Sequence, residues 1–395
     1  MQGRDDGIAA IHLKVEETLR EAHSDGAVLG AVADRLRDAF AKSASLARVR
    51  SDGFALLPHR PLGEAEALAL AGRCIELARD GAADAGDGRI VVSAGIAFSR
   101  DLSAPAADEL LRNAELASLR ALRGGGDRCA VFELKHHQAL LARIRTERAL
   151  REALEEGRLQ VYYQPEVDLV DGRWRAAEAL LRWRDDSGRL QSAQEFIDVA
   201  EGSGLIVAIG RWVLERACHA AACWPTRHGV APTLRVNVSA RQFELPSLQA
   251  DVAHALAVSG LPPKRLCLEL TETALLGDVQ AAAAGLERLR ALGVGVALDD
   301  FGVGYSSLSY LKQLPVDAIK LDRRFIAGLP GDHHDLAIVR AVAGLAREIG
   351  LGVVAEGVET QAQAQAVRDC GIHRAQGFLF APALPVDELL GRFGR

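Results

Sequence analysis

The 395-residue chain has no surplus of basic residues: 47 lysines and arginines stand against 53 acidic residues, for a formal net charge of −6. That balance offers no electrostatic footprint for duplex DNA or an anionic membrane surface. An anionic substrate would need local cations to hold it. No apolar run approaches bilayer-spanning length, and the opening MQGRDDGIAAIHLK lacks the features of a secretory signal. The six cysteines, Cys74, Cys129, Cys218, Cys223, Cys267 and Cys370, show no CxxC spacing, and most sit in apolar surroundings such as RLCLEL. They read as reduced, buried thiols of a cytoplasmic protein rather than as a disulfide framework or zinc site.

What is present is an ordinary globular composition, 49% hydrophobic and 25% charged, in a chain long enough for two domains. A break falls near residues 133–157. There LKHHQALLARIRTERALREALEEGR reads as one charged helix, with Glu147 and Arg151 spaced for an i,i+4 pair. It is either a linker or signalling helix, or an ordinary surface helix packed on a domain. Beyond it, short apolar segments alternate with amphipathic ones: LQVYYQP, AAEALLRW, LRVNVS, RLCLELTE, GVGVALDD, DAIKLD, LGVVAEGVE and RAQGFLF. Near-continuous apolar strands separated by helices predict a parallel sheet covered on the outside. Eight of them over roughly 250 residues is the size of a β/α barrel. The alternative is an open doubly wound sheet, weakened by the lack of a phosphate-binding glycine fingerprint after an early strand.

Polar residues close almost every one of these segments: Gln164; Glu178 and Arg182; Asn237; Glu269 and Glu272; Asp299 and Asp300; Lys320 and Asp322; Glu356 and Glu359; Gln376. A lone glutamate after a strand is usually a cap or a surface charge. Eight strands in a row ending this way point instead to the carboxyl-end face of a barrel, where active sites sit. Glu178, Asn237, Glu269, Asp299, Asp300 and Glu356 offer oxygen ligands with no histidine or cysteine among them, which suits hard cations such as Mg²⁺ or Mn²⁺. Adjacent aspartates raise each other's pKa unless a cation is shared between them. A pair of metals about 3.5–4 Å apart is a recurrent device for in-line attack at phosphorus. The loop FGVGYSSL after Asp300 reads equally as a tight turn capped by Ser306 or Ser307 or as a mobile cover over the metals.

EALLRW, with YYQP, NVS, ELTE, DDFGVGYSSL, IKLD, AEGVET and AQGF in this order over residues 144–395, is similar to the EAL-domain family of cyclic di-GMP phosphodiesterases. The resemblance implies a modified TIM (β/α)8 barrel that hydrolyses cyclic di-GMP to linear pGpG with two Mg²⁺ or Mn²⁺ ions. Carried over by position, Glu178, Asn237, Glu269 and Asp299 would hold one metal, and Asp299, Asp300 and Glu356 the second. Lys320 would contact the attacking water and Glu356 would be the general base. Gln164, Leu180, Arg182, Asn237 and Gln376 would line the substrate, while Glu272 anchors the loop with support from Glu359. The sequence departs at Val303, where threonine is usual, and at Phe378, where tyrosine is common. Neither departure touches a metal or catalytic position.

Residues 1–133 resemble a GGDEF domain more faintly, through LARVRSDGFALL, IVVSAGIAF and LLRNAELASLRALRGGGDRCAVFE. The signature segment reads Arg50, Ser51, Asp52, Gly53, Phe54. Both signature glycines are replaced, and a glycine stands where the metal-binding glutamate belongs. The first strand, GIAAIHLK, carries no aspartate, and AKSASL replaces the inhibitory RxxD. A cyclase needs close backbone approach and a carboxylate-held metal. The expectation is therefore a degenerate α/β GGDEF-like domain acting as scaffold or dimerisation partner, with GTP binding left open. It is joined through the helix at 134–157 to the barrel. The competing reading is a non-catalytic receptor for cyclic di-GMP; the complete metal set favours the enzyme. EAL barrels commonly pair, so a homodimer is expected.

Overall fold

A computed structural model describes residues 7–17, 25–85, 90–101, 106–226, 229–275, 278–302, 311 and 313–394, and the chain divides into two compact units, Met1–Ala142 and Arg143–Arg395. The first unit is built on a five-stranded sheet of order β2-β3-β1-β4-β5, with β1 (Ala9–Glu17), β2 (Ala44–Val49), β3 (Gly53–Pro58), β4 (Ile90–Phe98) and β5 (Cys129–Val131). All neighbours are antiparallel except β4 and β5. Strand side chains alternate between faces. In β1 this sends Ile11, Leu13 and Val15 into a core shared with α1 (Asp25–Phe40) and α2 (Glu64–Ala85). The opposite face packs Ala10 and Ala97 against Leu110, Ala114 and Ala117 of α3 (Ala107–Arg123).

The charged segment forms one helix, α4 (Leu134–Glu155), with the expected Glu147–Arg151 pair at 3.3 Å and a second pair, Arg148–Glu152, at 2.8 Å. Its later turns bury Leu150 and Ala153 in the core of the second unit.

All eight segments read as strands from the sequence close into a barrel. They are β6 (Leu159–Asp168), β7 (Trp174–Arg184), β9 (Thr233–Asn237), β10 (Leu266–Thr271), β11 (Gly295–Phe301), β12 (Ala318–Leu321), β13 (Gly352–Ala355) and β14 (Arg374–Gln376). Neighbours run β6-β14-β13-β12-β11-β10-β9-β7, and the β6–β7 pairing completes the ring. The short β8 (Leu190–Ser192) pairs with the far end of β7, outside it. Helices such as Leu205–Ala222, Leu248–Ser259 and His333–Glu348 supply the outer layer of the core.

The expectation of a fully parallel sheet needs correction. β6 runs antiparallel to both β7 and β14, whereas the strands from β7 through β9 to β14 are parallel. The reason is local: only Leu169–Arg173 separates β6 from β7. A connection that short allows a hairpin but no crossover helix. Gln164 and Glu178 therefore do not close their strands. Both lie inside long ones, directly paired across the hairpin.

Candidate active site

Alternate residues of the barrel strands meet in its interior. Lys320 on β12 is fully buried. Its Nζ lies 2.7 Å from Glu356 Oε1, 2.9 Å from Glu269 Oε2, 3.1 Å from Glu178 Oε2 and 3.4 Å from Asp299 Oδ1. Asn237 Nδ2 donates to Glu178 Oε1 at 2.6 Å. Gln376 Nε2 donates to Glu178 Oε2 at 2.7 Å and to Gln164 Oε1 at 3.0 Å. Gln376 Oε1 is buried and has no protein donor. Seven strands and the turn after β13 thus deliver Gln164, Glu178, Asn237, Glu269, Asp299, Lys320, Glu356 and Gln376 to one contiguous cluster.

Asp299 and Asp300 are neighbours on β11, so regular alternation would point them to opposite faces. Two features break the alternation. The β11–β12 register shifts between Leu298 and Phe301, and Asp300 adopts a left-handed φ of 53°, a conformation aspartate tolerates better than most residues. Its N–H donates to Asp299 Oδ1 at 3.0 Å. As a result, carboxylate oxygens of Asp299, Asp300 and Glu356 lie within 4.8 Å of one another, and so do those of Glu178, Glu269 and Asp299. Asp299 belongs to both triads.

One ammonium faces four carboxylates, and the electrostatics show the imbalance. Burial alone would depress Lys320, but the surrounding carboxylates outweigh it and hold the amine well above the ordinary lysine value. Burial pushes Glu356 up to about 7, reinforced by Asp299 and Glu178 against the pull of Lys320. Burial likewise raises Glu269, with Glu178 and Asp299 adding to it. Asp300 rises through burial and the neighbouring Asp299 and Asp322. Burial acts on Glu178 in the same sense, yet Lys320 and the amides of Gln376 and Asn237 hold it below the usual range. An all-oxygen donor set with uncompensated negative charge fits hard divalent cations. Two overlapping triads sharing Asp299 fit a pair of them.

Leu180 and Arg182 continue the Glu178 side of β7 beyond its last pairing with β9. Arg182 is half-buried, its guanidinium 5.9 Å from the Tyr162 ring centroid. Glu272 is buried at the head of the turn Glu272–Leu275, and Glu359 is exposed before the helix Gln361–Asp369. The loop that the resemblance ties to these two glutamates, residues 303–310 with Val303, Gly304, Ser306 and Ser307, lies outside the described residues. Phe378 is exposed.

A family model described as "EAL domain" matches residues 147–383, more than half of the chain. The chain belongs to the EAL-domain family. It is 37% identical over 371 residues to the bifunctional diguanylate cyclase/cyclic di-GMP phosphodiesterase MucR of Pseudomonas aeruginosa, covering 93% of this chain and 54% of that protein. It is 35% identical over 394 residues to the cyclic di-GMP phosphodiesterase NbdA of the same organism, covering 98% and 50%. Among solved structures, the MucR phosphodiesterase of P. aeruginosa in complex with c-di-GMP matches with 43% identity and a TM-score of 0.60, covering 62% of this chain and all of that one. The chain spans about half the length of the curated relatives it matches.

The EAL barrel also holds charged residues that the sequence reading passed over. Glu166 is completely buried. Arg235 Nε donates to its Oε2 at 2.5 Å, and Arg374 Nη1 donates to its Oε1 at 2.9 Å. A signal was available: Glu166 lies two residues after Gln164, Arg235 two before Asn237 and Arg374 two before Gln376. Strand parity therefore places all three on the interior side, one layer from the site.

Proposed function

We propose that this chain hydrolyses cyclic di-GMP to linear pGpG at the carboxyl-end face of its EAL barrel, with two divalent cations, Mg²⁺ or Mn²⁺, held by the overlapping triads. The observation that carries the reading is the sharing of Asp299 between the Glu178/Glu269 and Asp300/Glu356 groups, around one buried lysine. The names of MucR and NbdA, and the nucleotide in the MucR phosphodiesterase structure, support the choice of substrate.

Glu178, Glu269, Asp299 and Asn237 would hold one ion, and Asp299, Asp300 and Glu356 the other. Bound there, the ions supply charge neutralisation at the phosphoryl oxygens and a lowered water pKa. Glu356, 2.7 Å from Lys320 at the edge of the cluster, would be the general base. It takes the proton of the attacking water as the water oxygen bonds to phosphorus. The bond to the ribose 3′-oxygen breaks, leaving a 5′-phosphate, and the departing 3′-oxygen takes up a proton to become the free hydroxyl. Lys320 keeps its proton, orients four carboxylates at once and contacts the attacking water. Gln164, Gln376, Leu180 and Arg182 line the nucleotide, and the unpaired Gln376 Oε1 offers it an acceptor.

We infer further that the first unit is a degenerate GGDEF-like domain of regulatory or scaffold role. The 371 residues aligned with MucR exceed the length of the second unit, so the similarity extends into the first. In the β2–β3 turn, Arg50 takes a left-handed φ of 62° and Asp52 is engaged by Lys14. That carboxylate is already paired rather than offered to a metal.

The deciding experiment compares the whole chain with Glu178→Ala, with Mg²⁺ or Mn²⁺ and cyclic di-GMP. Production of pGpG by the unmodified chain and none by the variant is expected. Binding without hydrolysis by the unmodified chain would replace the enzyme with a receptor.

A further inference from the structure

A chain of alternating charge, buried from Glu166 to Lys320, crosses the barrel interior from the partly exposed Arg374: Arg374 to Glu166, Glu166 to Arg235, Arg235 to Glu269 and Glu269 to Lys320. It joins β14, β6, β9, β10 and β12. The two oxygens of Glu269 are engaged from opposite sides, with Lys320 Nζ 2.9 Å from Oε2 and Arg235 Nη1 3.5 Å from Oε1. Arg235 is itself held by the 2.5 Å bond from Nε to Glu166, and its Nη1 also lies 3.4 Å from Cys267 Sγ. The rest of this interior layer is small and apolar, a cluster of Cys267, Ala297 and Ala318.

Stability alone does not call for these charges. Replacing a buried ion pair with apolar side chains of similar volume is often neutral or stabilising. What an apolar filling cannot do is present N–H donors to the inner oxygen of Glu269. We propose that Arg235, clamped by Glu166, is a positioning residue that fixes the Glu269 carboxylate for divalent-cation binding. Glu166 in turn is fixed by Arg374. Groups hydrogen-bonded behind a metal ligand tune affinity by about 10–100-fold when removed. The inference rests on the metal-centre reading above, but not on cyclic di-GMP being the substrate.

The test titrates Mn²⁺ against the full chain without nucleotide and reads free Mn²⁺ by electron paramagnetic resonance. The variants are Arg235→Met, Arg235→Lys and the apolar pair Glu166→Met/Arg235→Met, with folding checked by circular dichroism. Arg235→Met is expected to weaken Mn²⁺ binding by about tenfold or more, and Arg235→Lys to recover part of it. The double variant removes both partners of the fully buried pair and leaves only the partly exposed Arg374 without its carboxylate, so it should fold and still bind weakly. In the hydrolysis assay, the Mn²⁺ concentration for half-maximal rate should rise, while KM for cyclic di-GMP at saturating metal stays unchanged. Wild-type Mn²⁺ affinity in either folded Met variant overturns the proposal. Arg235-dependent Mn²⁺ binding in a chain that hydrolyses no cyclic di-GMP supports it and overturns the phosphodiesterase reading instead.

Discussion

Lys320 Nζ lies 2.7 Å from Glu356 Oε1, the shortest of the four contacts this buried ammonium makes with carboxylates. The lysine holds together groups that would otherwise repel, and it does so where solvent cannot screen them.

Lys320→Met should therefore do two separable things. Removing one partner of a buried ion pair costs about 3–5 kcal/mol, so the melting temperature in metal-free buffer should fall. Mn²⁺ should restore more stability to this variant than to the unmodified chain, because a bound cation then replaces the positive charge that Lys320 gave the four carboxylates. Hydrolysis of cyclic di-GMP should be lost even at saturating Mn²⁺. Thermal melts with and without Mn²⁺, beside an activity assay, check both.

Arg182 lies on the site's side of β7 but beyond the carboxylate cluster. Arg182→Ala is expected to raise KM by about tenfold, or about 1.4 kcal/mol, with little change in kcat. That is the pattern of lost uniform binding. A fall in kcat at unchanged KM would instead place the guanidinium at the transition state.

Gly357 follows Glu356 directly, with a φ of 68°, and a Cβ there would stand 2.4 Å from Arg323 Cβ. Gly357→Ala should strain the turn by about 1–3 kcal/mol and displace Glu356. Gly371, with φ 87° and open space around it, makes the control. Gly371→Ala should lower stability while leaving kcat intact, and kcat measured in both variants separates displacement from strain.

In the first unit, His12 accepts or donates at Nδ1 to Ser118 Oγ across 2.8 Å, and its Nε2 is buried without a partner. Burial, aided by Lys14 and opposed by Glu115, holds its pKa below the ordinary 6.5. As pH falls through 6.5, the unfolded chain takes up the proton first. The stability is thus full above 6.5 and declines from there down to the folded value. His12→Leu should remove this slope. Urea unfolding of both chains at pH 7.5 and 5.5 reads the difference, and an identical slope in the variant would refute the assignment.

Much of this architecture could be read directly from the residues. Eight apolar segments became eight barrel strands, and the charged stretch became one helix carrying its Glu147–Arg151 pair. These are local matters of side-chain period and i,i+4 spacing. The direction of β6 was missed because a strand's apolar pattern is the same read either way, and only the short link to β7 reveals the reversal. Arg235, Glu166 and Arg374 were missed because a single charged residue inside a strand looks like a surface charge until its neighbours across the barrel are known.

The sequence by itself determined which chemistry is available: an oxygen-only donor set, one lysine within it and the order of the strands that bear them. Only the tertiary structure decided how these groups meet. Glu178 and Glu356 lie 178 positions apart in the chain, yet both touch the same ammonium. Asp300 joins Asp299 on one side of β11 through a register shift and a left-handed backbone that no residue pattern prescribes. Closure of the barrel brings distant strands edge to edge. The resulting burial makes a lysine, four carboxylates and an arginine act on one another more strongly than they would in water.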